Sequence, residues 1–247
     1  MWRLVAILVL ALAAQPRPVV EPRLSLLYRG TPEGSARAVD IEAVRALGFS
    51  ALTWPHGGSA RTDELIRLAD ALRLKVLLSD SPSVELATID ADRVRPEAMW
   101  PLAWRAIARG TRFVSIDPGR NAAIDRLATQ PPRWASAVAG IERQLRANGL
   151  LFAQSHPGPS VVVDRPPAGI DVMLLDAGRS WVVAATNASA RSSRVVAHLP
   201  PAVPYAMWVD LLDGSTMAML DEPAGPRWAF DLGPWGVKLY VIDKSLK

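Results

Sequence analysis

The chain has no cysteine. Disulfides, thiol nucleophiles and thiolate metal sites are therefore excluded. Histidine is scarce. His56, His156 and His198 are the three present, and none stands at metal-ligand spacing from another. The sequence thus calls for neither a metal nor any other cofactor. Gly57-Gly58 lacks the G-x-x-x-x-G-K or G-x-G-x-x-G surround of a phosphate loop. Ser115 and Ser155 lack the context of a nucleophile elbow. Charge of one sign never clusters. The formal net charge is +4, but the excess is almost all arginine, scattered singly. That pattern reads as a solvated surface and predicts no nucleic-acid partner. The apolar run Leu4–Leu12 is shorter than the about 20 residues of a membrane span.

What is present begins with a targeting pattern. Met1-Trp2-Arg3 is a basic head, Leu4–Leu12 an apolar core, and Ala11-Leu12-Ala13 a small-x-small cleavage pattern. Residues 1–13 therefore read as a signal peptide, with a mature chain that starts near Ala14 and works in the periplasm or outside the cell. No stable membrane span remains after cleavage; an uncleaved anchor is the alternative. Residues 14–23 read as a Pro-rich linker. Half of the 247 residues are hydrophobic, enough to bury a sizeable core in one large domain or two small ones.

The stretch Phe49–Asp80 organises the chain around it. Phe49–Trp54 is a short apolar run between Gly48 and Pro55. Leu65, Ile66, Ala69 and Leu72 recur at helical spacing, and Lys75–Leu78 is apolar without alternation. Strand, helix and strand in this order form a parallel unit covered on both faces, with its chemistry beyond the carboxyl ends of the strands. Leu24–Tyr28 is a further expected strand, Asp40–Leu47 a helix, Asp80–Arg95 a long polar loop, Pro96–Ala108 a helix and Phe113–Ile116 a strand. Asn121–Leu127 reads as a short helix. Pro131–Ala147 reads as a longer one, stopped by Asn148-Gly149. From Ser160 the pattern changes to short β-branched runs with turn signals such as Asp213-Gly214. The expectation is a partial TIM-barrel-like parallel α/β domain over 24–154, followed by an antiparallel β-sandwich over 160–247. The boundary falls in Ser155–Pro159.

Three passages resemble a known family. Gly48–Pro55, with Leu65–Asp70 and Leu74-Lys75-Val76, looks like a second barrel unit. Ala108–Ser115 looks like a late barrel strand after its helix end. Trp181–Asn187, with Leu212-Asp213-Gly214, looks like a terminal sandwich. Together they resemble bacterial glycoside hydrolases, in particular the β-galactosidase-like barrels of the (β/α)8 retaining clan with a C-terminal all-β domain. The resemblance implies two catalytic glutamates, one after the fourth strand, usually in Asn-Glu, and one after the seventh. This chain has no Asn-Glu pair and about four strand–helix units before the sandwich. The family pattern would be shortened, with middle units missing, and none of its catalytic residues carries over.

Candidate chemistry sits at the strand ends. Glycoside hydrolysis needs two carboxyl groups about 5 to 9.5 Å apart. Asp80 and Asp117 both end expected parallel strands and are the candidate pair; alternatively each caps its own turn. Glu85, Asp90 and Asp92 fall on the long loop and read as solvent-facing. Trp54, Trp100 and Trp104 are the candidate sugar platforms and His56 a candidate hydrogen-bonding partner; equally, Trp54 reads as core and His56 as a loop residue, and Trp134, Trp181 and Trp208 read as core. Asn187-Ala188-Ser189 fits a glycosylation sequon, a pattern common by chance. The expected function is an exported carbohydrate-active protein that acts on or binds a glycan. A non-catalytic sugar-binding or structural envelope module is the alternative. The sequence leaves the oligomeric state open.

Overall fold

A computed structural model describes residues 20–27, 38–54, 60–78, 86–119, 132–204, 207–218 and 226–245. The expected signal peptide and the helix over 121–127 lie outside these residues. Five parallel strands form one sheet: β1 (Arg23–Leu27), β2 (Ala51–Trp54), β3 (Lys75–Leu78), β4 (Leu86–Asp90) and β5 (Phe113–Asp117), in the order β3-β2-β1-β5-β4. The described helices are α1 (Ala38–Ala46), α2 (Ala60–Ala71), α3 (Pro96–Ala108) and α4 (Ala135–Gln154). Successive strand residues point to opposite faces, and this alternation separates two apolar clusters. Leu24, Leu26, Leu52, Ile89, Val114 and Ile116 join Ile41, Leu65, Met99 and Ile141 of the four helices in one core. Ala51, Leu77 and Phe113 form a smaller cluster on the other face. That face is concave. Lys75 on β3 holds its ammonium 5.2 Å from the ring centroid of Phe113 on β5. In a flat sheet those strands would stand three spacings, about 14 Å, apart.

Two sequence expectations change here. The stretch 80–95 is not a continuous loop, because Leu86–Asp90 is a strand paired in parallel with β5. Its acidic and proline-rich flanks hide a core-facing Ile89. The last helix does not stop at Asn148-Gly149 but runs to Gln154. Gly149 is buried there against Glu21, and Phe152 extends the buried face one turn further. Packing overrides the local stop signal.

The remaining strands are antiparallel. β6 (His156–Pro157), β8 (Ile170–Ala177), β9 (Ser180–Asn187), β11 (Met207–Asp210), β12 (Thr216–Ala218) and β14 (Val237–Asp243) make a six-stranded sheet. β7 (Val162–Val163), β10 (Ser193–His198) and β13 (Arg227–Leu232) make a three-stranded one. Trp181, Val183, Val195, Trp208, Trp228 and Phe230 pack between the two. The other face of the larger sheet offers Leu175, Val182, Ala184 and Leu239 to the core shared with the helices. Helices α3 and α4 are therefore covered by a sheet on each side. Arg105 and Arg109 of α3 both reach Asp171 on β8, at 3.4 and 2.7 Å, and Arg105 donates to the Gly169 carbonyl at 2.7 Å.

A buried carboxylate fixes α4 on the parallel sheet. Glu142 Oε1 accepts from Leu24 N at 3.2 Å and from Ser50 Oγ at 2.8 Å, tying α4 to the amino ends of β1 and β2. Burial raises its pKa above the ordinary 4.5, against the lowering effect of these two donors and of Arg146. Between the unfolded and the raised folded pKa the native state thus keeps a proton that the unfolded chain has released. The associated stability is fully present below the unfolded pKa and is lost as pH rises through the raised folded pKa. Glu142→Gln keeps an acceptor for both donors without the charge. It should flatten that part of the stability-versus-pH curve and leave the protein at least as stable at pH 7, as read by urea unfolding across pH. An unchanged pH profile would show that Glu142 titrates as it does in the unfolded chain.

Candidate functional site

The carboxyl ends of the parallel strands carry an acidic pair that sequence reasoning only half located. Asp90 ends β4 and Asp117 ends β5, and the two residues are direct partners in the strand register. Asp117 is the expected candidate. Asp90 was expected on a loop. Both strands end in the same kind of triplet, Thr88-Ile89-Asp90 and Ser115-Ile116-Asp117, which was the available signal. In each, Ile faces the helices and the flanking residues face the concave side.

Both carboxylates also hold the turns that leave their strands. Asp90 Oδ1 accepts from Asp92 N at 3.0 Å, and its Oδ2 lies 3.1 Å from Arg93 Nε. Asp117 is buried, and its Oδ1 accepts from Gly119 N at 3.0 Å. Gly119 has φ 88° and lies directly against the Asp92 carboxylate, which would overlap any β-carbon placed there. Three aspartates thus crowd one corner of the sheet. One step deeper, Thr88, Ser115 and Ser25 are register partners across β4, β5 and β1. Ser25 and Thr53 share a hydrogen bond of 2.7 Å between their hydroxyls. Among the described residues, no group of three or more His, Asp or Glu side chains could hold a metal ion.

The other candidates divide three ways. Asp80 and His56 lie outside the described residues. Trp104 is buried, which corrects its expected role as a platform, and Trp54 is buried as well, in line with its alternative reading as core. The Trp54 side chain turns to the helices as part of their core. Trp104 is enclosed by Trp100, with centroids 6.3 Å apart, and by Phe152 at 5.1 Å. Helical periodicity shows one buried stripe on α3, but packing against Phe152 of α4 buries Trp104 as well. Trp100 is half-buried on α3 against Gly140 of α4.

No family model matches this chain, and no curated protein does. Solved structures do resemble it in part. A noncanonic maltogenic α-amylase from Thermotoga neapolitana aligns over 82% of this chain and 53% of its own, with 8% identity and a TM-score of 0.48. An Anoxybacillus α-amylase aligns over 89% and 52%, with 13% identity and a TM-score of 0.44. A putative α-N-acetylgalactosaminidase from Bacillus halodurans aligns over 82% and 61%, with 8% identity and a TM-score of 0.43. The chain spans about half to three fifths of the length of these proteins. Among the described residues, no helix is long and apolar enough to cross a membrane.

Proposed function

We propose that this chain is an exported, shortened relative of barrel glycosidases that binds a glycan and does not hydrolyse it. The strand order carries the reading. In a closed eight-stranded parallel barrel, neighbours in sequence are neighbours in the sheet, and the last strand pairs with the first. Here β1, β2 and β3 obey that rule on one side. The last parallel strand, β5, pairs with β1 on the other, and β4 lies beyond it. That order fits a barrel shortened to its first three and last two units, with antiparallel sheets after them. The glycosidases that the sequence resembles place one carboxyl group after the fourth strand and one after the seventh. Among the described strands the first position has no counterpart, and in this reading Asp90 ends the strand that takes the seventh place. Hydrolysis needs both groups, whereas a sugar site survives the loss of one.

A second reading rests on Asp90 and Asp117 themselves. Register partners on adjacent strands stand about 5 Å apart, near the carboxyl separation of retaining enzymes. One experiment separates the two readings. The full chain, expressed in a bacterial host, should be recovered outside the cytoplasm with its N-terminus near Ala14. It should be retarded in gels containing polysaccharide and release nothing from nitrophenyl glycosides. Turnover that disappears in both Asp90→Asn and Asp117→Asn would replace binding by hydrolysis. Intact Met1 in the cytosolic fraction would remove the export claim.

A further inference from the structure

With Trp54 and Trp104 in the core, the platform for a sugar ring lies elsewhere. Trp134, Trp181, Trp208 and Trp228 are also buried, and Trp100 packs against the helix core. Trp235 is different. It is half-buried, belongs to none of the apolar clusters, and among the described residues its indole has no ring or hydrogen-bond partner. It occupies the turn Gly233-Pro234-Trp235-Gly236 between β13 and β14 with φ 54°. This is the left-handed region, which disfavours any residue with a β-carbon and a bulky one most. Strain of this kind persists only where the surroundings enforce it, and it concentrates at ligand sites.

The surroundings here do enforce it. Trp235 N donates to Ser189 O at 3.0 Å, and Gly236 N to Gly233 O at 3.0 Å. Asn187 N donates to Gly236 O at 2.8 Å, and its side-chain amide donates to Gly233 O at 2.8 Å. A β-carbon at Gly236 would come within 2.8 Å of Gly233 O, so the turn has one tight form. The 188–192 loop beside it is itself anchored by Ala188 N on Gly169 O at 2.9 Å, and Arg191 and Ser192 on that loop are exposed.

We propose that Trp235 is the stacking platform of a carbohydrate subsite on the antiparallel sheets, with the exposed polar groups of Arg191 and Ser192 on the adjoining loop. The proposal rests on the glycan-binding reading above and adds to it a subsite on the antiparallel sheets. A rigid aromatic face binds a pyranose ring without first being ordered, which conserves affinity. The setting favours a sugar over a protein partner. The turn and the loop bonded to it through Ser189 carry glycine, proline, serine and alanine, whereas the exposed large aliphatics Leu150, Val162, Met207 and Val209 are on other segments. A protein hot spot would be ringed by further apolar contacts.

The test uses the intact chain in affinity gels containing amylose, xylan or galactan, with thermal unfolding in parallel. Glycine adopts φ 54° freely, so Trp235→Gly removes the ring and relieves the strain together. It should weaken retardation at least tenfold with an unchanged or higher Tm, and Trp235→Tyr should keep most of the binding. Retardation of the parent that survives Trp235→Gly overturns the subsite but leaves the glycan reading standing. A parent retarded by none of the three polymers overturns both. Weaker retardation accompanied by a Tm lower by several degrees makes Trp235 a structural residue and also overturns the subsite.

Discussion

Trp104→Ala should lower the unfolding free energy by about 3–5 kcal/mol, the range for deleting a large buried aromatic. The side chain is fully buried on α3, and its ring lies against Trp100 and Phe152. The helix is held between two sheets, so the surroundings have little freedom to collapse into the space. Trp104 Nε1 is buried without a hydrogen-bond partner, and an unpaired buried donor costs about 1–3 kcal/mol. Trp104→Phe removes that donor along with part of the ring and should therefore cost far less than Trp104→Ala. Urea unfolding gives both numbers. A loss below about 1 kcal/mol for Trp104→Ala, coupled to weaker polysaccharide retardation, would return Trp104 to the role of a sugar platform.

Asn187→Ala should cost about 3–4 kcal/mol, from four hydrogen bonds each worth about 1 kcal/mol net. The buried amide donates to Arg191 O at 2.7 Å and to Gly233 O at 2.8 Å. Its oxygen accepts from Ser189 N at 2.9 Å and from Ser189 Oγ at 2.7 Å. Asn187→Asp should be at least as damaging, because a carboxylate would face two carbonyl oxygens. These bonds also settle the sequon at Asn187-Ala188-Ser189. Both amide hydrogens are engaged inside the fold, and a glycan at that nitrogen is incompatible with it. Thermal unfolding of the two variants is the measurement. Equal Tm values for parent and Asn187→Ala would mean that the Gly233 turn is held by its backbone bonds alone. The same substitution loosens the support of Trp235, so its stability and polysaccharide retardation should fall together, unlike those of Trp235→Gly.

The legible parts of this chain are those where local pattern and final environment agree. β2, α2 and β3 follow from an apolar run, a helical stripe and a second apolar run, because a parallel unit buries its strands on both faces. The antiparallel strands follow from β-branched runs bounded by turns. Asp117 at a strand end was legible for the same reason, since Asp117-Pro118-Gly119 must break the strand. β4 was not legible. Only Ile89 of its five residues is buried, and a single buried position gives no periodicity. Its place beside β5 comes from long-range pairing, and so does the meeting of Asp90 with Asp117.

The sequence by itself determined the absence of thiol and cysteine-metal chemistry, the change from parallel units to antiparallel strands, and the residues available at the strand ends. Trp134, Trp181 and Trp208 read as core in the sequence and are buried, whereas tertiary structure alone decided that Trp104 is core. A helix shows a second buried side only when another element packs on it, here Phe152 of α4, which is why Trp104 read as a surface ring. It also decided that the last parallel strand lies beside the first, since strand order is a matter of pairing across the chain. The exposure of Trp235 was decided in the same way, by backbone bonds from Asn187 and Ser189 that hold a distant turn in a conformation its own residues would not choose.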